Sequence, residues 1–165
     1  MTQTWLLLTY EISLISCALV AGVFLTFSDF VMKSLNGSRT DAAVEVMQGI
    51  NREVFKTVFM VLLIGMWAVS AALGAAAYLG VLETGGTSIL SAAIIYSVGV
   101  AGVTLVFNVP MNTKLATKAY DSPEGAAYWT DVYYPRWTFC NWVRGIAAAV
   151  AAVLYLNACL QLAQA

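Results

Sequence analysis

Residues 58–82 read VFMVLLIGMWAVSAALGAAAYLGVL, and this run contains no charged side chain. A bilayer has a hydrocarbon core of roughly 30 Å, which about 20 apolar helical residues can cross. Lipid offers no hydrogen-bond partners to the backbone, so such a segment must satisfy its own N–H and C=O groups by forming a helix. The stretch therefore predicts a transmembrane helix.

Three further stretches have the same character, and they are residues 5–27, 89–109 and 143–160. The chain is 61% hydrophobic and 10% charged, whereas soluble domains are roughly 45–50% apolar and about 25% charged. The first stretch is too long for a cleaved signal peptide and lacks a basic start. These features predict an all-α, four-helix transmembrane bundle that forms a single integral membrane domain over residues 1–165.

The basic residues fall into two zones, one after the first predicted span and one between the third and the fourth. They are Lys33, Arg39, Arg52, Lys56, Lys114, Lys118, Arg136 and Arg144. Basic loops stay on the cytoplasmic side of membranes. We therefore expect both basic loops to be cytoplasmic and both termini to lie outside, in an integral membrane protein of the plasma (inner) membrane of a bacterium.

Turn residues predict where the helices begin and end. The Asn36-Gly37-Ser38 stretch should end the first helix, and Asp41 should cap a short amphipathic helix that runs through Asn51. Pro110 should kink or end the third helix, and the stretch from Ser122 to Gly125 marks another break.

Aromatic residues are dense between residues 128 and 142, where the chain has Tyr128, Trp129, Tyr133, Tyr134, Trp137 and Trp142. This density predicts an aromatic belt at the membrane interface. The chain has three cysteines, an odd number in or beside apolar spans, which argues against a disulfide framework.

Polar side chains at membrane depth are costly and usually face the interior of a bundle. Four groups of them are predicted to meet at one end of the bundle: Thr26, Ser28 and Asp29; Gln48 and Asn51; Asn108 and Asn112; Trp137, Asn141 and Arg144. Spacings of three and four residues place the members of a group on one helix face. They predict a polar pocket beneath an apolar body. In the competing interpretation, Asp29 is a helix-end charge in water and the Arg144 side chain extends to the membrane interface. The asparagines would then only form hydrogen bonds between helices.

The residue types and motifs that the sequence lacks exclude several kinds of active site. The chain has no histidine, which excludes His-ligated haem, the two-His iron site and the common catalytic zinc sites. It also has no glycine-rich nucleotide loop and no Ser-His triad. We therefore expect no metal and no cofactor. Glu11 lies far from the pocket along the first helix and is expected at the opposite interface.

Four segments carry a resemblance to a known family. They are GVFLTFSDFVM at 22–32, MQGIN at 47–51, NVPMN at 108–112, and Trp137-Thr138 with Asn141 and Arg144. The sequence resembles the anthrone oxygenase-like family, small four-span membrane proteins long catalogued as a domain of unknown function. Named members oxidise an anthrone to the anthraquinone with molecular oxygen and no known bound cofactor.

The resemblance implies roles for the pocket residues. The predicted catalytic residues are Asp29 as base, with Arg144, Asn108, Asn112 and Asn141 as donors to the substrate anion. The predicted substrate-binding residues are Ser28, Gln48, Asn51 and Trp137, of which Trp137 would stack on an aromatic ring. An anthrone has an acidic C–H, and the resulting anion can reduce oxygen itself, so a base and anion-stabilising donors would suffice.

Three classes of function stay open at this point. The first is a cofactor-independent oxygenase acting on a lipophilic aromatic or quinol-like small molecule. The second is a non-catalytic membrane protein that binds a membrane lipid, a quinone or a partner subunit, including a second copy, through the same pocket. The third is a small-solute carrier or assembly factor, but carriers show internal repeats with broken helices, and the sequence has no convincing repeat. Nucleic acid is not an expected partner.

Overall fold

The computed structural model describes residues 3–164, and within this range the regular structure is entirely helical. The helices are α1 (Gln3–Asn36), α2 (Thr40–Glu53), α3 (Val58–Tyr78), α4 (Gly86–Ala116) and α5 (Pro123–Ala163). All except α2 are long and apolar enough to cross a membrane. The predicted all-α bundle with four spans is confirmed.

The bundle has two ends with different contents. We call the half that contains Gln3, Ala163 and the turn at residues 79–85 the terminal half. The half that contains α2 and the segment at 117–122 is called the loop half. The 3₁₀ turn Val54–Lys56 joins α2 to α3 in the loop half.

Short π-helical segments interrupt three of the long helices. They are Phe27–Val31 in α1, Tyr96–Gly102 and Thr104–Asn108 in α4, and Trp129–Tyr133 in α5. A π turn holds an extra residue, so it changes which face the following side chains occupy. Tyr96–Gly102 lies near the middle of α4, and the other three segments lie in the loop half.

Two predicted helix boundaries are confirmed, and the predicted cap at Asp41 is wrong. Helix α1 ends at Asn36, and Ser122 caps α5 by accepting a hydrogen bond from the Gly125 N–H at 3.0 Å. Helix α4 continues past Pro110, because this proline lies in the first turn after a π segment, where its missing N–H costs little.

Asp41 does not cap α2, since the N-cap position is Arg39 and no side chain caps there. Instead, the Arg39 guanidinium lies 3.0 Å from the Asp41 carboxylate. A backbone hydrogen bond at Ala42 and this guanidinium hold the pKa of Asp41 below its usual value. The capping prediction fails because the helix begins at Thr40, which places Asp41 inside its first turn.

The core of the terminal half is built from small side chains. Helix α5 presents Ala147, Ala148, Ala151 and Ala152, all buried, and α1 packs along this helix. At Gly74 of α3, an added Cβ would lie only 2.5 Å from the Cβ of Ala93 in α4. Small residues let helix backbones approach closely in lipid, where no hydrophobic force drives them together.

The core of the loop half is rich in large side chains and lies beneath α2. Its buried members are Met32, Ala43, Val44, Met47, Leu115, Tyr128, Trp129, Tyr133 and Trp137. The predicted aromatic belt is therefore wrong for four of its six residues, and Trp142 alone is exposed, at 38%. The apolar face of α2 covers these rings, so they pack inside the protein.

Candidate functional site

A cavity of about 550 Å³ lies between the two cores. Its walls come from α1, α2, the turn after α2, α3, α4 and α5, and they are mostly apolar. Phe24, Phe27, Phe59, Met60, Leu63 and Ile50 contribute much of the apolar lining. Ligand pockets of this kind are usually apolar with a few convergent polar groups.

Arg144 of α5 is the charged group inside this cavity, and its side chain is almost fully buried, at 6% exposure. The guanidinium donates to Asn141 Oδ1 at 2.6 Å and to Thr104 Oγ1 at 3.3 Å. It also lies over two aromatic rings, 4.4 Å from the centre of Phe24 and 5.4 Å from that of Trp137. Hydrogen bonds and aromatic faces therefore hold the cation in place.

No carboxylate neutralises Arg144 within residues 3–164. The ion pairs found there join Lys33 to Asp29, Arg39 to Asp41 and Lys56 to Glu53, and all of them are exposed. A buried charge without a counter-ion is costly. The cavity next to Arg144 is therefore suited to an anionic group of a ligand.

Two amides support the guanidinium. Asn141 donates to the Phe24 carbonyl at 2.7 Å and to Ser28 Oγ at 2.6 Å, which leaves its oxygen free to accept from Arg144. Asn108 is buried, and with its amide oxygen turned toward Arg144 it accepts from the guanidinium at 3.2 Å and from the Trp137 indole N–H at 3.3 Å.

A second network closes the side of the cavity nearest α2. The Asn112 side-chain oxygen accepts from the Tyr133 hydroxyl and from the Trp137 indole N–H, both at 2.8 Å. Asn51 of α2 donates to the Tyr133 hydroxyl at 3.2 Å. The Tyr133 and Trp137 rings stack with centres 6.0 Å apart. This network joins three helices and presents an indole edge to the cavity.

The structure brings six of the predicted site residues into the cavity wall: Arg144, Asn108, Asn112, Asn141, Asn51 and Trp137. Ser28 lies behind the wall as the partner of Asn141. Gln48 is not part of the wall, because its side-chain amide donates to the Leu115 and Lys118 carbonyls, both at 2.9 Å, at the end of α4.

Asp29 is not brought to the cavity. Its side chain is 60% exposed and lies 3.5 Å from Lys33 on the same helix. The buried stripe of this helix is Phe24, Ser28 and Met32, one residue in every four. Asp29 is one position beyond Ser28 and therefore points outward. Glu11 is likewise exposed, near the other end of the helix.

Residue-by-residue reasoning missed Thr104, Tyr133, Phe24 and Glu53. Thr104 precedes Asn108 by four residues and Tyr133 precedes Trp137 by four, so helical spacing could have added both to the predicted face. Phe24 is apolar, so the search for polar side chains at membrane depth did not include it. Glu53 lines the mouth of the cavity and is paired with Lys56 at 3.1 Å, with both side chains exposed.

The described part of the chain, residues 3–164, contains no group of three His, Cys, Asp or Glu side chains able to hold a metal ion. The polar groups of the cavity are instead a guanidinium, amides, hydroxyls and an indole. These groups donate hydrogen bonds to oxygen anions.

The family model described as Anthrone oxygenase matches residues 52–154, which include the parts of α3, α4 and α5 that line the cavity. No curated protein matches the chain, and no solved structure matches it.

Proposed function

Because this chain belongs to the anthrone oxygenase family, we propose that it oxidises an anthrone-type aromatic substrate with molecular oxygen inside the cavity, without a bound cofactor. In such a reaction the ring CH₂ of the anthrone and one O₂ give the C=O of the quinone and one H₂O. The substrate supplies the electrons and oxygen accepts them. The protein needs to bind the substrate, favour its ionised form and exclude competing reactions.

The main support for this proposal is the buried Arg144 guanidinium. Loss of a proton from an anthrone places negative charge on its carbonyl oxygen, and a fixed cation in an apolar cavity stabilises such an oxyanion strongly. Arg144 has no carboxylate partner among the described residues and faces the cavity. Its charge is therefore available to the substrate. This makes the substrate easier to ionise, and the ionised form is the one that gives electrons to oxygen.

The walls suit a flat polycyclic body. The guanidinium lies over the faces of Phe24 and Trp137. Phe27 and Phe59 also line the cavity, so a ring system held by Arg144 would contact aromatic side chains. A volume of about 550 Å³ falls within the roughly 300–1,000 Å³ typical of small-molecule pockets. The Trp137 indole N–H also points to the amide network, which keeps its ring in a fixed orientation.

The proton removed from the substrate has one carboxylate to go to among the described lining residues, and that is Glu53 at the mouth. Its exposure lets it exchange the proton with water. We assign it the role of proton acceptor in this proposal, in place of Asp29, whose side chain points away from the cavity.

We also propose that the loop half faces the cytoplasm across a bacterial plasma membrane. The support for this orientation is the clustering of Lys and Arg in the two segments of the loop half, because basic segments stay on the cytoplasmic side.

The test is aerobic turnover of a hydroxyanthrone by the protein in lipid nanodiscs, followed by quinone absorbance and oxygen uptake. Anthrones oxidise slowly without protein, so the rate in empty nanodiscs is subtracted. Arg144→Met should lower the rate by about 10²–10³, the usual loss when an oxyanion donor is removed. Arg136→Met, an exposed arginine on the same helix, should match the unchanged protein. An Arg144→Met variant that keeps the full rate would overturn the proposal.

One observation favours a second candidate function. Within the described residues, the cavity holds no buried carboxylate, so a base is not built into its interior. A protein that only binds an anionic quinone or lipid needs Arg144 and the apolar walls and nothing more. In that case the protein would bind a hydroxyanthraquinone in an Arg144-dependent way while turnover stays at the background rate.

A further inference from the structure

Helices α3 and α4 touch in the terminal half and separate in the loop half. They meet closely at Gly74 and Ala93, and the Tyr96 hydroxyl donates to the Leu63 carbonyl at 3.2 Å. Helix α3 packs mainly on residues 86–102 of α4. Beyond this point the two helices form the opposite walls of the cavity.

Four apolar side chains along this separation line the cavity and are also exposed on the outside of the bundle. They are Ile64 and Trp67 on α3, exposed by 56% and 41%, and Leu105 and Val109 on α4, exposed by 55% and 38%. A side chain with both properties lies at an opening. We call the opening between these four residues the lateral gap.

The backbone of α4 accounts for the separation. Its two π segments, Tyr96–Gly102 and Thr104–Asn108, are followed by Pro110. Both π turns and proline bend helices. The second π segment and Pro110 lie in the part of α4 beyond its main contacts with α3, so we attribute the lateral gap to the local structure of α4.

The rim of the lateral gap faces lipid. All four rim residues are apolar and lie within α3 and α4, which are long and apolar enough to span a membrane. A second opening lies at the turn after α2, where Glu53 and Phe55 line the cavity and are exposed. This second opening carries a charge and is suited to water and protons.

We propose that the substrate enters sideways from the bilayer through the lateral gap, so that the protein takes a membrane-dissolved polycyclic phenol. This inference rests on the proposed function and adds the source and class of the substrate. The acidic oxygen of the substrate binds at Arg144, on the α5 side of the cavity, while its apolar part extends toward the gap. A lipophilic molecule already concentrated in the bilayer then reaches the site without crossing water.

The test measures how fast a hydroxyanthraquinone, a stable product-like ligand, exchanges between the lipid and the cavity of the protein within the same nanodisc, followed by the relaxation of its visible absorbance after a temperature jump. Leu105→Trp narrows the lateral gap. Its matched control is Val106→Trp, since the neighbouring Val106 is also exposed, at 62%, but does not line the cavity. Phe55→Trp narrows the other opening. All three positions are exposed, so the variants should fold.

In the Leu105→Trp variant, association should slow by about tenfold, because the larger side chain obstructs the route into the cavity. The Val106→Trp variant should behave as the unchanged protein, and Phe55→Trp should not slow association. Fast binding by Leu105→Trp, or slow binding by Phe55→Trp in its place, would overturn the proposal.

This readout separates the lateral gap from the proposed function, because it needs no turnover. If Leu105→Trp slows binding while the protein never oxidises an anthrone, the gap stands and the oxygenase proposal fails. If turnover depends on Arg144 but Leu105→Trp binds at the normal rate, the oxygenase proposal stands and the gap fails. If the unchanged protein binds no hydroxyanthraquinone, both fail.

Discussion

The two halves of the bundle use the same helices in opposite ways. In the terminal half, alanines such as Ala148 and Ala151 and the contact at Gly74 bring backbones together. In the loop half, large rings such as Trp137 and Tyr133 stack in the core. The larger cavity, of about 550 Å³, is lined by residues of the loop half, whereas the terminal half has a smaller pocket of about 310 Å³ at the turn that follows α3.

Side-chain hydrogen bonds show the same division. In the terminal half the Ser70 and Tyr155 hydroxyls pair at 2.9 Å, while the Tyr10 hydroxyl is buried without a partner among the described residues. In the loop half, amides, hydroxyls and indoles form the continuous network around Arg144 and Asn112. Four predictions test whether the two halves differ in this way.

Gly74→Leu should have the largest effect. An added Cβ at this position lies 2.5 Å from the Cβ of Ala93, and the larger side chain must force α3 away from α4. Overpacking of this kind costs about 3 kcal/mol. The variant should lose most of its thermal stability in detergent, measured by circular dichroism and by recovery of the monodisperse peak in gel filtration.

The control for this substitution is Gly65→Leu on the same helix, where an added Cβ meets nothing within 4 Å. Both variants change helix propensity equally, so their difference reports packing alone. Equal stability of the two variants would show that the terminal half does not depend on close backbone contact.

Asn112→Leu should have the next largest effect and tests the loop half. The substitution keeps the approximate size of the side chain but removes the acceptor for the Tyr133 hydroxyl and the Trp137 indole N–H. The Tyr133 hydroxyl then has no acceptor and the Trp137 indole keeps only its longer bond to Asn108, which should cost about 2 kcal/mol. Thermal unfolding checks this, with Thr113→Val at the adjacent exposed position as the control. No loss of stability would mean that the network is not needed to hold the loop half.

Hydropathy and charge placement were enough to predict the four-span fold, because the spans in lipid are strongly constrained by length and apolarity. The small residues of α5 were also a readable signal for close helix contact. The π segments could not be predicted from the sequence, since an extra residue in a helical turn has no fixed sequence signature. For this reason the burial of Trp129 was missed.

The candidate site was predictable to the extent that its residues share helix faces. Asn108, Asn112, Asn141 and Arg144 follow spacings of three and four residues, and all four line the cavity. Asp29 was predicted to be the base because it is a carboxylate near the pocket. The buried face of α1, however, contains the neighbouring Ser28 and not Asp29. Its outward position depends on how α1 packs against α5, which one helix alone does not reveal.

A pair of tyrosine substitutions should have a smaller effect, with opposite signs. Tyr155→Phe leaves the buried Ser70 hydroxyl without its partner and should cost about 1 kcal/mol. Tyr10→Phe removes a buried hydroxyl that has no partner among the described residues and should be neutral or stabilising. Thermal unfolding of both variants checks the pair. Equal losses of stability in the two variants would show that the Tyr10 hydroxyl has a hydrogen-bond partner in the terminal half.

Asp29→Asn should have the smallest effect. The carboxylate is 60% exposed, contacts only Lys33 at 3.5 Å and does not line the cavity, and exposed ion pairs contribute little. Both hydroxyanthrone turnover and thermal stability should match the unchanged protein, whereas Glu53→Gln at the mouth should slow turnover. The reverse result, with Asp29→Asn inactive and Glu53→Gln active, would place the base on the outer face of α1. In that case the reaction would depend on a carboxylate outside the cavity, and the proposal that only the interior of the loop half is functional would be wrong.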